Sequence, residues 1–402
     1  MGPRSAEVTL GPVDELDLRP VFQPIVDLRD GAVVGYEALM RSGSEHGELH
    51  SAEAMLAAAR REDSLLALDL ATRDAALRVA ADHGLDAPFS LFLNADPETL
   101  DASSPERPST RFTLLVEVTE RALMARPEAM LRALTRLRGA GWGITLDDVG
   151  ADSRSLALMP LLYPDVIKLD LRLLAKRSTE DLARIVTAVG AEAERGRATV
   201  LAEGIDSDEQ LATARVFGAT LGQGYLLGPP GALPETLPPA GRALRLPGGG
   251  GDPFGATPWE RVTNWRRPGT STRELAMRAA RVLVDQAAEI GQTAMLLVSL
   301  SDDRYGAGSV ARYGWLPDRL AFVGVLNAGA AFAGTGVRGG KLAPDDPLAG
   351  TGTLVVLAPD FAACFVVRET GDDEWSFAIT YDRDTVVECA LALMARMEPL
   401  ER

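Results

Sequence analysis

Two cysteines, three lysines and three histidines in 402 residues leave little material for several kinds of chemistry. Cys364 and Cys389 lie in apolar stretches without metal-ligand spacing, which argues against a thiolate metal site and against a disulfide framework, and two buried free thiols are expected. No apolar run approaches the roughly 18 residues that a membrane span needs. The start, MGPRSAEVTL, lacks the basic and then apolar segments of a signal sequence, so the expected compartment is the cytoplasm. Positive charge is scarce as well, with 41 Lys+Arg against 57 Asp+Glu and a formal net charge of -16. A chain of that sign does not neutralise a long phosphate backbone, so a nucleic-acid polymer is excluded as a partner; one small anionic ligand is not. Carboxylates would repel such a ligand unless divalent cations sat between them.

What the chain does contain is a recurrence. Seven short apolar runs each break, near their downstream end, into a carboxylate, an amide or a lysine. They are VVGYEALMR (Glu37, Arg41), LFLNADP (Asn94), TLLVEVTE (Glu117), GITLDDVG (Asp147, Asp148), VIKLD (Lys168, Asp170), TVLAEGID (Glu203, Asp206) and LGQGYL (Gln223). In a parallel α/β barrel all strand C-termini emerge on one face, so polar ends distant in sequence meet there.

The rest of the pattern agrees. VFQPIVDL, the turn Asp30-Gly31 and AVVGYEALM read as a hairpin. Helices are expected over Ala52 to Arg61, Leu65 to Ala81, Pro127 to Arg138, Ser155 to Leu162, Thr179 to Ala193 and Asp208 to Phe217, with strands at Phe89 to Asn94, Ile144 to Leu146, Val166 to Leu169 and Thr199 to Ala202. Repeated strand and helix units imply a parallel sheet, and their number favours a barrel over a doubly wound sheet. The expected organisation is an α/β barrel over residues 15–232, a Pro/Gly-rich linker over 233–270 and a smaller α/β sandwich over 271–400. In that second domain the helix Thr272 to Ile290, with Thr272 as N-cap, precedes five strands and a closing helix near Thr385 to Met397.

With so few lysines, Lys168 inside an apolar strand stands out. An ammonium there needs acidic partners such as Asp170 or Glu203, as a structural ion pair or at a site. A single acidic strand end is ordinarily a turn or a helix cap. Asp147 and Asp148 are harder to explain so, because strand neighbours point to opposite sides unless the strand is ending. Glu37, Asn94 and Glu117 add hard oxygen donors, which select magnesium or manganese over zinc. His46, His50 and His83 fall in loop or helix-end positions and are expected on the surface.

YEALMR resembles the signature of the EAL-domain cyclic di-GMP phosphodiesterases. FQPIVDL, LFLNADP, VEVTER, TLDDVG, PDVIKLD, LAEGIDSDEQL and GQGYLLGPP resemble that family's other motifs, in its order, over about Leu16 to Pro230. The resemblance implies a TIM-like barrel with an antiparallel first strand, hydrolysis of cyclic di-GMP to pGpG, and a homodimer formed through the barrel. It also implies two divalent cations, magnesium or manganese. Glu37, Asn94, Glu117 and Asp147 would hold one of them; Asp147, Asp148 and Asp170 would hold the second. By the same resemblance Lys168 orients or polarises the attacking water, and Glu203 acts as base or holds a metal-bound water. Arg41 meets a ligand phosphate, and Gln23, Asp206 and Gln223 belong to the substrate side.

The chain also departs from that family. Asp147 to Ser155 reads DDVGADSRS, with Val149, Ala151, Asp152, Ser153 and Arg154 where the family carries an aromatic, threonine, glycine, tyrosine and serine; Asp206 stands where it has a glutamate. A receptor that binds cyclic di-GMP without cleaving it, or a protein-interaction module, are therefore the alternatives. Ser271 to Met394 resembles the DICT sensory domain and is expected to regulate the barrel in response to a signal the sequence does not name. Tyr305, Tyr313, Trp315 and Phe322 are its candidate pocket aromatics, with core or interface as the plainer reading. Gly334 to Gly340, GTGVRGG, lacks the lysine of a phosphate loop and reads as a flexible loop.

Overall fold

Short apolar strands alternating with alanine-rich helices close on themselves because each helix must bury one face against the sheet. The computed structural model describes residues 13–43, 49–100, 102, 110–150, 153–247, 250–302, 306–327, 335–371 and 374–400. The chain opens with the antiparallel hairpin β1 (Leu18–Asp27) and β2 (Val33–Gly43). Gly31 turns it at φ 76°, a left-handed conformation that glycine adopts without strain. There follow β3 (Leu49–Ser51), α1 (Ala52–Arg61), α2 (Leu65–Asp82), β4 (Ser90–Asn94), β5 (Thr113–Thr119), α3 (Glu120–Ala125) and α4 (Pro127–Gly139). Next come β6 (Gly143–Val149), α5 (Met159–Leu162), β7 (Val166–Asp170), α6 (Leu171–Leu174), α7 (Thr179–Gly196), β8 (Thr199–Glu203), α8 (Asp208–Val216) and β9 (Leu221–Gly222). Pro127 occupies the first turn of α4, and the hydroxyls of Ser178 and Ser207 cap α7 and α8.

Among the described residues, eight strands form a ring in the order β1, β9, β8, β7, β6, β5, β4, β2 and back to β1. Neighbours from β2 round to β9 are parallel, and β1 is antiparallel to both of its partners. This is a TIM-like barrel with an antiparallel first strand. Ile25, Phe92, Leu115, Val166 and Leu201 fill the lower barrel interior, so the polar strand ends stand on an apolar floor.

The second domain begins with α9 (Pro258–Thr263), β10 (Gly269–Thr272), α10 (Arg273–Ile290), β11 (Met295–Ser299) and α11 (Gly306–Tyr313). It continues with β12 (Phe322–Leu326), β13 (Arg338–Gly340), β14 (Gly352–Leu357), β15 (Ala362–Glu369), β16 (Glu374–Thr380) and α12 (Arg383–Met394). Its sheet runs β10, β16, β15, β14, β11, β12, β13. Helix α10 covers one face through Leu283 and Val284 against Leu296, Leu354 and Phe365, and α12 covers the other through Val386, Cys389 and Leu393 against Leu297 and Val355. The result is a smaller α/β sandwich. Thr272 caps α10 as expected, accepting from Leu275 N.

Three segments differ from the sequence expectation. Ser155 to Leu162 is not one helix but a 3-10 turn, Ser153–Ala157, followed by the single turn α5; Pro160 has no N–H to donate and bars a continuous helix through that stretch. The segment 233–270 is not a plain linker, since it contains α9 and β10. Gly241 N donates to Val33 O at 2.9 Å, and Leu244 and Leu246 pack under the barrel floor, which attracts the few apolar residues that the Pro/Gly-rich run carries. Arg338–Gly340 is not a loop but pairs in parallel with β12. Gly334, His46, Tyr305, Ala151 and Asp152, and the side chain of His50, lie outside the described residues.

The two domains share one apolar cluster, in which α12 packs against α5. Arg338 Nη1 donates to Met124 O at 2.6 Å, Leu400 N to Ala125 O at 2.9 Å and Arg195 Nη1 to Pro359 O at 3.0 Å across the same junction. Cys364 and Cys389 are free and buried. Among the described residues no helix is long and apolar enough to cross a membrane.

Candidate functional site

Strand register decides which polar ends become neighbours. Gln23 lies opposite Glu37 on β1 and β2, Asn94 opposite Glu117 on β4 and β5, Thr119 opposite Asp147 on β5 and β6, and Asp170 opposite Glu203 on β7 and β8. The Asp147-Asp148 pair does not sit past the end of its strand, because β6 runs on to Val149. Instead the register with β7 slips between Leu146 and Val149, and Asp148 takes φ 57°. A bulge of this kind re-aims side chains that simple alternation would send to opposite faces. Among the described residues, Asp147, Asp148 and Glu203 are the acidic group whose oxygens all lie within 4.8 Å of one another.

Lys168 stands at the centre. Its Nζ lies 3.1 Å from Glu117, 3.3 Å from both Asp147 and Glu203, and 3.4 Å from Glu37, and the lysine side chain is 1% exposed. Asn94 Nδ2 donates to Glu37 Oε1 at 3.1 Å, and Gln223 Nε2 donates to Glu37 Oε2 at 2.7 Å and to Gln23 Oε1 at 3.0 Å. Gln23 Nε2 in turn donates to Gly228 O at 3.1 Å, so both glutamines are built into the site wall.

One ammonium among four carboxylates leaves excess negative charge in a dry place. Burial pulls the Lys168 pKa down, but Glu117, Glu203, Glu37 and Asp147 together lift it well above its ordinary value. Burial, with the Glu37 charge beside it, raises Glu117 well above the carboxylate range. Glu37 itself ends below its ordinary value, because Lys168 and the amides of Gln223 and Asn94 outweigh burial. Burial, reinforced by Asp147 and Glu37 against the pull of Lys168, pushes Glu203 up to about 8. Asp148 is raised by burial and by Asp147. Burial and crowded negative charge thus raise the proton affinity of Glu117, Glu203 and Asp148, the condition that divalent cations relieve.

The donors fit such cations. All are oxygens on rigid strand ends, the hard set that magnesium and manganese take. Buried Glu117 Oε1 and Asp147 Oδ1 have no hydrogen-bond partner among the described residues and lie 3.1 and 3.3 Å from the Lys168 ammonium.

The other expected site residues are placed around this cluster. Asp170 caps α6, its Oδ1 accepting from Arg172 N at 2.7 Å and Leu173 N at 3.3 Å, while lining the mouth with Glu203. Arg41 lies four residues past Glu37 on the same strand face, half-buried, donating to Met40 O at 2.8 Å. Asp206 accepts from Tyr225 N at 3.0 Å and pairs with Arg172 at 3.0 Å, which braces the β8 and β9 loops together. Arg172 and Tyr225 were missed from sequence although each stands two residues beyond an expected site residue, Asp170 and Gln223; both line the 270 Å³ mouth. Asp69 was missed as well. This α2 residue, 4% exposed, accepts from Asp96 N at 3.1 Å and Thr99 Oγ1 at 2.5 Å and fixes the turn that follows Asn94.

Residues 13–230 match the EAL domain family. The chain belongs to that family. Over the EAL domain it resembles the cyclic di-GMP phosphodiesterase RocR of Pseudomonas aeruginosa, with 30% identity over 58% of this chain and 62% of RocR. The probable cyclic di-GMP phosphodiesterase PdeG of Escherichia coli is 27% identical over 54% of this chain and 46% of PdeG. Among solved structures, Klebsiella pneumoniae BlrP1 in a manganese and cyclic di-GMP complex is 29% identical, with TM-score 0.47, over 56% of this chain and 58% of that one. The chain therefore spans less than two thirds of the length of these relatives.

Proposed function

We propose that this chain hydrolyses cyclic di-GMP to linear pGpG with two divalent cations, magnesium or manganese, in the EAL barrel. The observation that carries this reading is the Lys168 ammonium within 3.4 Å of Glu37, Glu117, Asp147 and Glu203, four carboxylates from four different strands. Glu37, Asn94, Glu117 and Asp147 would hold one cation; Asp147 and Asp148, with Glu203 or Asp170 beside them, would hold the second. Such cations supply charge stabilisation at phosphorus and acidify bound water.

The chain's own groups do the rest. Lys168, its ammonium 3.1 to 3.4 Å from the four carboxylates, serves as a fixed donor toward the attacking water or a phosphoryl oxygen. Glu203 lines the open mouth as well as touching Lys168, which puts it where it can take the proton from that water. Arg41 offers a planar fork to a phosphate. Cavities of 270 and 320 Å³, both lined by Glu37 and Leu39, adjoin the strand ends.

In the same proposal two barrels pair, and the second domain regulates the EAL domain. Support for regulation is the packing of α12 on α5, the first helix after the Asp147-Asp148 bulge. The test incubates the full chain with cyclic di-GMP and manganese or magnesium, with pGpG read by chromatography. Turnover that Glu37→Ala abolishes is expected. Binding without turnover under either metal supports a receptor instead, the reading that the atypical sequence after Asp148 favours. Absence of binding overturns both.

A further inference from the structure

The second domain holds a cavity that the barrel chemistry does not use. It has a volume of 250 Å³ and lies on the sheet face covered by α10, opposite the face that α12 covers toward the barrel. Val298, Leu354, Phe365 and Trp375 of the sheet and Met277 and Ala280 of α10 form an apolar wall. Its polar side carries Arg273 and Arg312 beside Tyr313, with the hydroxyls of Ser299, Ser301, Ser309 and Thr353, and the described lining includes no aspartate or glutamate. In a chain of net charge -16 that is a local reversal.

The groups are arranged for a ligand with two ends. The Arg273 guanidinium stands 5.6 Å from the centre of the Trp375 ring, which joins the cationic side to the aromatic wall. Arg312 lies against the Tyr313 hydroxyl, a phenol whose pKa burial raises. An apolar recess with a few converging polar groups is the usual form of a small-molecule site. Arginine at its edge selects a planar anion, because the guanidinium fork matches a carboxylate. The volume falls below the roughly 300 Å³ at which pockets for drug-sized ligands begin, so the ligand is small.

We propose that this cavity binds a small organic acid, with an aromatic or branched aliphatic body against Trp375 and Phe365 and one carboxylate met by Arg312 and Arg273. The site stands independently of the reaction in the barrel, so either proposal can fail without the other.

The test is calorimetry on the full chain with benzoate and 4-methylpentanoate, and with benzamide as the neutral isostere of the first. Saturable binding of at least one acid is expected. Arg312→Gln weakens that acid about tenfold or more. Benzamide binds at least about tenfold more weakly than benzoate where benzoate is the acid that binds. Ala280→Phe, which fills the recess, removes binding; thermal unfolding reports whether each variant folds, and should Ala280→Phe not fold, Arg312→Gln decides alone. The proposal is overturned if neither acid binds up to roughly 10 mM, beyond the weak end of specific association. Benzamide binding as tightly as benzoate, or acid binding indifferent to Arg312→Gln, overturns it equally.

Discussion

Lys168 Nζ lies 3.1 Å from Glu117, and both side chains are 1% exposed. The pair joins β7 and β5, which flank β6 in the sheet, so it exists only once all three strands are paired. Removing the lysine while leaving its carboxylates buries uncompensated negative charge. Lys168→Met is expected to lower unfolding free energy by about 3–5 kcal/mol in the presence of a chelator, with part of the loss restored by manganese. Urea unfolding with and without the metal measures both. A variant as stable as its parent in chelator would show that the ammonium has no such structural role.

Gln223 holds Glu37 and Gln23 in place through its amide nitrogen. Partners that orient a ligand in this way change metal affinity by roughly 10–100-fold when removed. Gln223→Ala is therefore expected to weaken manganese binding within that range in calorimetry. Unchanged affinity would place the glutamine in the wall alone.

Asp69 acts one step further out, through the turn after Asn94. Asp69→Ala leaves Asp96 N and the Arg73 charge without their carboxylate and removes one of the two acceptors of Thr99 Oγ1. An expected loss of about 2–4 kcal/mol follows from a buried charged acceptor with several donors. Thermal unfolding checks it, and Asp69→Asn, which keeps one carbonyl acceptor, is expected to lose less.

Gly143 begins β6 where a Cβ would lie 2.8 Å from a Leu246 methyl and 3.0 Å from Leu115. Gly143→Ala is expected to displace the strap under the barrel floor and to cost about 1–3 kcal/mol, the usual range for overpacking. If Leu246→Ala in the same chain recovers most of that loss in urea unfolding, the clash with the strap is its cause.

Cutting the chain after Gly250 uncovers α5, whose residues Met159 to Leu162 are all buried, and strips α12 from the shared apolar cluster. The shortened chain is expected to bind a hydrophobic dye and to associate in light scattering. A monomeric, dye-silent barrel would show that the junction contributes little.

Much of this molecule was legible in order along the chain. The bounds of α1 and the hairpin turn at Gly31 follow from local periodicity and turn chemistry, and each polar strand end was visible as a break in an apolar run. The helix α12, apolar on nearly every side, also advertises burial between two partners. What local pattern does not carry is register. The bulge that lets Asp147 and Asp148 act together depends on how β6 meets β7, and the cap made by Asp170 depends on where α6 begins.

By itself the sequence determined the inventory of hard oxygen donors, their order on successive strands, and a single lysine placed where only acidic company makes it tolerable. Tertiary structure alone decided that Glu37, Glu117, Asp147 and Glu203 surround Lys168, that Asp206 braces Tyr225 and Arg172, and that the Pro/Gly-rich run seals the barrel from below. The physical reason is closure. Distances between strand ends are set by the ring as a whole, and the burial that shifts their proton affinities appears only when every strand is in place.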